Sequence, residues 1–322
     1  MISFKEIVLE DKDWINELLS QCHYMSCEYC FGNHFIWKNA YDERVCRIND
    51  YYTVELSDDE GERGFSFLFP AGTGDLKPVI EELMEYCRSE NLPFRLHSMP
   101  EEMVPEMERM FPGLFDFTVD RDYSDYIYTV EDLTNLAGKK YHGKRNHIAR
   151  FKEGNWAFEP MGDDNFEECM EMNREWCRLN DCGRDEGIKT EQCAVRRSFK
   201  YFRELDFFGG LLRLDGKVVA YTIGERLNSD TVVVHIEKAF SDIQGAYPTI
   251  NREFVANMCQ NYRYVNREED LGVEGLRRAK LSYQPAILLP KYGVKLKNET
   301  RNQEDRIRRC PCTQGALAEC LC

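Results

Sequence analysis

No stretch of this 322-residue chain approaches the roughly 18 consecutive apolar residues that a membrane-crossing helix requires. The opening residues, MISFKEIVLEDKDWINELL, are interrupted by Lys5, Glu6, Glu10, Asp11, Lys12 and Asp13, so the unbroken apolar core of a secretory signal is missing too. These two absences predict a cytoplasmic protein without an integral membrane segment. Positive charge is scarce: 42 Lys and Arg stand against 57 Asp and Glu, a net charge of -15. Such a surface repels polyanions, which excludes general coating of nucleic acid and restricts any contact to a focused patch. Among 14 cysteines, no CxxC pair is matched by a second at zinc-ribbon spacing. Cys22, Cys27 and Cys30 form one group; Cys310, Cys312, Cys320 and Cys322 form another, within a polar tail spanning 298–322. Without an export signal these read as reduced thiols, and neither a metal nor a tightly bound cofactor is expected.

What is present is apolar substance for sizeable cores, 43% hydrophobic residues with 12% aromatic, over a length that suits two domains. Periodicity predicts a short strand and an amphipathic helix over residues 3–20. Two strands follow, Cys46 to Leu56 and Gly64 to Phe69, parted by the polar turn Ser57–Gly61. Helical spacing returns from Leu76 to Ser89, then a strand from Pro93, a helix from Glu101 to Phe111, and a last alternating strand from Asp122 to Thr129. A similar succession begins after residue 152. It has helices over 166–180 and 189–205, a hairpin turning at Asp215–Gly216, a strand over 231–239 and a helix from about Pro248 to Cys259. A strand at Tyr262–Asn266, a helix over 274–282 and a closing strand from Ile287 to Val294 complete it.

Each half thus has the element order of a GNAT-type acyltransferase. The predicted architecture is α+β, with two tandem GNAT-like lobes, each a mixed, mostly antiparallel sheet flanked by helices. The first lobe is expected over 1–135 and the second over 136–297.

Against the acidic background, residues 138–152, GKKYHGKRNHIARFK, hold six Lys/Arg and two His. A solvated helix face is the ordinary fate of such a run. The directional hydrogen-bonding groups inside it favour an anion or substrate site formed by Lys140, His142, Arg145, Asn146 and His147. A second candidate is the loop entering the helix near 248: Gln244, Gly245, Ala246 and Tyr247 stand where unpaired helix N–H groups receive a donor's phosphates, unless Gly245 only shapes a turn. On the preceding strand His235 and Glu237 are two residues apart, which predicts a shared face and joint deprotonation of an attacking amine or hydroxyl; a paired structural role is the alternative. Asp270, Arg277 and Lys280 lie in the polar stretch after a strand end, where sheet scaffolds present reactive groups, although an exposed salt-bridged turn has the same composition.

The basic segment, together with NREEDLGVEGLRRAKLSYQPAILLPKY, resembles the C-terminal domain of phosphatidylglycerol lysyltransferases over nearly the whole chain to about residue 297. That resemblance implies two tandem GNAT-type lobes and an aminoacyl- or acyl-transfer ancestry, shared with Fem-type peptidyltransferases. It implies a donor site near the Gly275–Lys280 motif and the basic segment. The long membrane-embedded region of the lysyltransferases has no counterpart here. The leading expectation is an aminoacyl- or acyl-transferase acting by direct attack, with aminoacyl-tRNA as donor and a small-molecule or peptide acceptor bearing an amine or hydroxyl. The alternatives are acetyl-CoA-dependent N-acetylation and non-catalytic binding of a small anion or nucleotide.

Overall fold

The computed structural model describes residues 2–57, 65–180 and 186–297, and the side chains of 186–190 are left aside. The four cysteines of the tail and most of the expected turn at Ser57–Gly61 lie outside the described residues. The strands are β1 (Lys5–Glu6), β2 (Arg44–Ile48), β3 (Tyr51–Leu56), β4 (Ser66–Leu68), β5 (Ala71–Gly72), β6 (Arg95–Met99), β7 (Phe115–Val119) and β8 (Asp125–Thr129). They continue with β9 (Trp156–Pro160), β10 (Phe208–Leu214), β11 (Lys217–Arg226), β12 (Thr231–Ala239), β13 (Tyr264–Asn266), β14 (Ile287–Leu289) and β15 (Tyr292–Leu296). The helices are α1 (Lys12–Leu19), α2 (Phe31–Trp37), α3 (Leu76–Glu90), α4 (Val104–Met110), α5 (Val130–Asn135), α6 (His142–Phe151), α7 (Phe166–Leu179), α8 (Glu186–Lys200), α9 (Ala246–Met258) and α10 (Glu274–Leu281).

Two mixed sheets carry the molecule. One runs β1-β2-β3-β4-β6-β15-β7, with β5 beside β3; the other runs β9-β10-β11-β12-β13-β8-β14. Read in these orders the sheets correspond position by position. Each has an antiparallel succession, then a parallel pair joined through a helix, β4 with β6 across α3 and β12 with β13 across α9. The sixth position is exchanged. β8, which follows the elements of the first lobe, pairs with β13 and β14 of the second sheet, while β15 inserts between β6 and β7 of the first.

This exchange corrects two expectations. The strand over 122–129 does not close the first sheet. The closing strand over 287–294 is two strands, broken at Pro290–Lys291 and assigned to different sheets. Cys46–Leu56 is also a hairpin rather than one strand, because Asn49 takes a left-handed φ of 54° and reverses the chain between β2 and β3. The hairpin at Asp215–Gly216 forms as expected, with φ of 50° and 80°, a mirror-image turn that suits the twist of its strands.

Apolar burial binds the lobes together. α3 lays Val79, Ile80, Leu83 and Cys87 on the first sheet, in one cluster with Phe67, Leu96, Phe115 and the exchanged Val294. A second cluster crosses between lobes, joining Phe31 and Phe35 of α2 with Val195 and Phe199 of α8 and Tyr221 of β11. α9 covers the opposite face of the second sheet, with Phe254 and Val255 against Val232, Val234 and Val265.

Candidate functional site

In the second sheet β12 and β13 run parallel through Val233 and Asn266 and then part, for β13 ends while β12 continues to Ala239. The residues around this opening are charged. On β12 the pairing with β11 slips between Ile223/Ile236 and Gly224/Val234, so one residue of β12 bulges at His235. The bulge reverses the alternation beyond it, and His235 and Glu237 do not share partners as the period-two pattern predicts. His235 turns to Glu225 of β11, Nε2 to Oε1 3.0 Å, and to Glu268, Nδ1 to Oε1 2.8 Å. Glu237 turns toward α9, accepting from Asn251 at 3.1 Å and from Arg267 at 2.8 Å.

Burial alone would strip the proton from His235, but the two carboxylates outweigh it and raise its pKa to about 9. It is therefore an imidazolium donating from both nitrogens at neutral pH, and as held here it is no proton acceptor. Glu268 is pushed upward, chiefly by burial, and has a left-handed φ of 56°, an unusual conformation for a side chain of this size.

A second group lies where the exchanged strands cross. The Lys291 ammonium, in the link between β14 and β15, contacts Asp125 of β8 at 2.7 Å, Glu28 at 2.9 Å and Glu269 at 3.1 Å. Cys27 donates its backbone N–H to Asp125 at 2.8 Å, and Asn266 donates to the same carboxylate at 2.7 Å. Burial opposes the charge of Lys291, yet these neighbours hold its ammonium well above the ordinary lysine value. Burial raises the Asp125 carboxyl to about 7 despite Lys291.

Lys280 comes from α10. It is that helix's buried residue, at 8% exposure, whereas Leu276 and Leu281 are exposed at 40% and 41%. The helix thus turns a lysine inward and its leucines outward, the reverse of a core-facing helix. The Lys280 ammonium donates to the carbonyl of Glu269, and burial lowers its pKa.

The other expected site residues divide between structural duty and surface. Arg277 pairs with Asp270 at 2.7 Å and Asp122 at 2.5 Å, and Asp270 also accepts from Tyr126 at 2.5 Å. Burial opposes the charge of Asp270, but hydrogen bonds from Arg277, Tyr126 and the Gly272 N–H hold it well below the usual carboxylate range. This set ties the β13–α10 loop to β8, so Arg277 is committed to aspartates rather than open to a donor. Arg145 donates to the carbonyls of Leu136 and Gly138 and clasps the turn after α5. Lys140 lies exposed over the Tyr141 ring, and Asn146 pairs with His142 at 3.1 Å on the surface.

His147 does meet the expected phosphate loop. Gly245, at a φ of 86°, packs so closely that a Cβ would lie 2.2 Å from the His147 carbonyl oxygen. Ala246 and Tyr247 open α9 behind it, next to Gln244.

Two cations of the basic segment are partly buried: Lys152 pairs with Glu253 of α9 at 2.6 Å, and Lys144 turns to the segment after α10. The Lys144 ammonium sits 3.8 Å from the Tyr283 ring centre, with the Arg267 guanidinium 4.9 Å from the same ring. Burial, then the charge of Arg267, brings Lys144 down to about 8.

For metals, the donor atoms of Cys30, Glu225 and His235 lie within 4.8 Å of one another, as do those of Cys27, Glu28 and Asp125. In the first set both histidine nitrogens are held by carboxylates, and in the second the Lys291 ammonium already supplies the positive charge. Neither arrangement calls for an ion.

Residues 21–295 match the family described as phosphatidylglycerol lysyltransferase, C-terminal. The chain belongs to this family. Among solved structures it is similar to a conserved protein of unknown function from Bacteroides thetaiotaomicron. The two are 40% identical with a TM-score of 0.87, over 92% of this chain and 100% of the other. The C-terminal domain of a putative lysylphosphatidylglycerol synthetase from Agrobacterium fabrum shares the fold at a TM-score of 0.63 and 11% identity, covering 96% and 99% of the two chains. FemX shares it at 0.61 and 8%, covering 94% and 99%. An uncharacterised protein of Mycoplasmoides gallisepticum is 22% identical over 54% of this chain, and the match spans only 56% of that relative's length. The chain thus has the fold of these structures, α+β with two GNAT-like lobes in tandem, each a mixed sheet flanked by helices. Among the described residues, no helix is long and apolar enough to cross a membrane.

Proposed function

We propose that the chain is an aminoacyl- or acyl-group transferase whose donor carbonyl is received where β12 and β13 part. The observation that carries this reading is the inverted helix α10. A helix that buries Lys280 and exposes leucines sacrifices hydrophobic stabilisation, and the position gained is an ammonium beside Glu268 and Glu269 at the opening.

An amine or hydroxyl of the acceptor attacks the donor carbonyl carbon, forming the new C–N or C–O bond and placing negative charge on the carbonyl oxygen. Lys280 is positioned to stabilise that oxyanion. The acceptor's proton passes to a carboxylate of the Glu268–Glu269 pair, for which the raised pKa of Glu268 is suited. The bond to the leaving oxygen or sulfur then breaks, and the leaving group takes that proton. His235 orients Glu268 as a charged hydrogen-bond donor rather than acting as the base, and Glu237 holds Arg267.

Family membership and the FemX-like fold support aminoacyl-tRNA as the donor, with acetyl-CoA as the competing choice; both donors go with a cytoplasmic setting. The test is transfer from labelled aminoacyl-tRNA and, separately, from acetyl-CoA to a panel of amines, peptides and hydroxyl compounds. Acceptor-dependent consumption of one donor, lost in Lys280→Met, is expected. Absence of binding and turnover with both donors would overturn the reading.

A further inference from the structure

Glu237 has both oxygens engaged, one by Asn251 and one by Nη2 of Arg267. The other terminal nitrogen of Arg267, Nη1, is buried without a hydrogen-bond partner, and so is Oδ1 of Asn251. Beside them the Lys144 ammonium rests on the ring of Tyr283, which Arg267 also faces. Among the described residues Lys144 makes no ion pair. Two cations therefore share one carboxylate, leaving one positive charge in a partly dehydrated corner.

Leaving a buried guanidinium nitrogen without a carboxylate or carbonyl acceptor is costly, because the faces of Tyr283 and Tyr128, 4.9 and 5.7 Å from the guanidinium, return only part of what the group gave up in leaving water. Surplus charge and a vacant donor lie together at the opening where the donor is received. Tyr141 helps fix this corner by donating its hydroxyl to the Tyr283 carbonyl at 2.8 Å, which ties the start of α6 to the segment after α10.

We infer that Lys144 and Nη1 of Arg267 form a binding site for a singly charged oxyanion, a phosphodiester of the donor's nucleotide portion. A phosphodiester carries one negative charge, matching the surplus, and its two free oxygens can accept from an ammonium and a guanidinium together. The low proton affinity of Lys144 fits a cation awaiting a counter-charge. The choice of a nucleotide source rests on the transferase reading; the oxyanion site itself does not.

The experiment is calorimetric titration of the full chain with cytidylyl-adenosine, CoA and acetate, in the wild type, Lys144→Gln and Lys144→Arg, without turnover. Lys144 is partly exposed, so both variants should fold, and circular dichroism checks this. The expected result is binding of a phosphodiester probe that weakens about tenfold or more in Lys144→Gln, the loss of one charge-assisted hydrogen bond, and recovers in Lys144→Arg. Cytidylyl-adenosine in preference to CoA assigns the oxyanion to the phosphodiester of a nucleic-acid end, and the reverse assigns it to the diphosphate of CoA. Equal affinity in wild type and Lys144→Gln, binding of acetate alone, or no binding of any probe would overturn the inference. Phosphodiester binding without turnover in the transfer assay would keep the site and remove the transferase reading.

Discussion

The two lobes repeat one topology, yet the openings between their parallel strands are filled in opposite ways. In the first lobe β4 and β6 part after Leu68 and His97, and the Tyr29 hydroxyl lies across the gap, 3.2 Å from the Phe69 carbonyl oxygen and 2.9 Å from that of Ser98. A neutral side chain, 3% exposed, thus stands where the second lobe has His235, Glu268, Arg267 and Glu237. The same backbone opening serves as packing in one copy and collects ionisable groups in the other. The two clefts are equivalent in topology; the first is packed with a neutral side chain and the second is lined with ionisable groups.

The sharpest way to break this comparison is to exchange the importance of the clefts. Lys280→Met should lower transfer by about 10²–10³, the usual cost of losing one oxyanion donor, whereas Tyr29→Phe should leave the rate within about twofold. A comparable loss in both would mean that the first cleft also takes part.

The crossing point comes next. Lys291→Met leaves Asp125, Glu28 and Glu269 without their shared cation, and urea unfolding should show a loss of about 3–5 kcal/mol. Adding Asp125→Asn should recover part of it. No recovery would mean that Lys291 acts through packing alone.

A smaller, pH-dependent effect belongs to His235, raised from 6.5 to about 9. Its folded form binds a proton more tightly than its unfolded form. The stability it contributes is therefore complete below about pH 6.5 and lost as pH rises through 9. His235→Gln should flatten unfolding stability across that window; an unchanged slope would show that Glu225 and Glu268 do not hold the imidazolium. Least of all, Tyr29→Phe should cost about 1 kcal/mol, one buried hydrogen bond partly compensated, read from the same unfolding curves.

Much of this fold is legible locally. The 3.6-residue spacing of Val79, Ile80, Leu83 and Cys87 and the Asp215–Gly216 turn report short-range preferences, and both reappear in the structure, whereas α2, β7, α5 and β9 carried no such signal. The exchange of β8 and β15 is not legible, because alternation marks a strand without naming its partner. The site was legible by region rather than by residue. The basic segment does reach the α9 loop and the second cleft, but through Lys144 and the backbone of His147, while Arg145 and Arg277 serve local structure.

The His235–Glu237 reading failed on one bulge, a single inserted residue that periodicity cannot register. Cys27, Glu28, Asp125, Glu269 and Lys291 meet only because the strands cross. The one sequence signal for them was the polar run Arg267–Asp270, directly after a strand end.

The account is tested most directly by hydrogen–deuterium exchange of the full chain with and without each donor, aminoacyl-tRNA and acetyl-CoA. It predicts slowed exchange at 264–270 and at the start of α9 with one donor, and no change at 67–74 or 95–99. Protection confined to the first-lobe segments would contradict it.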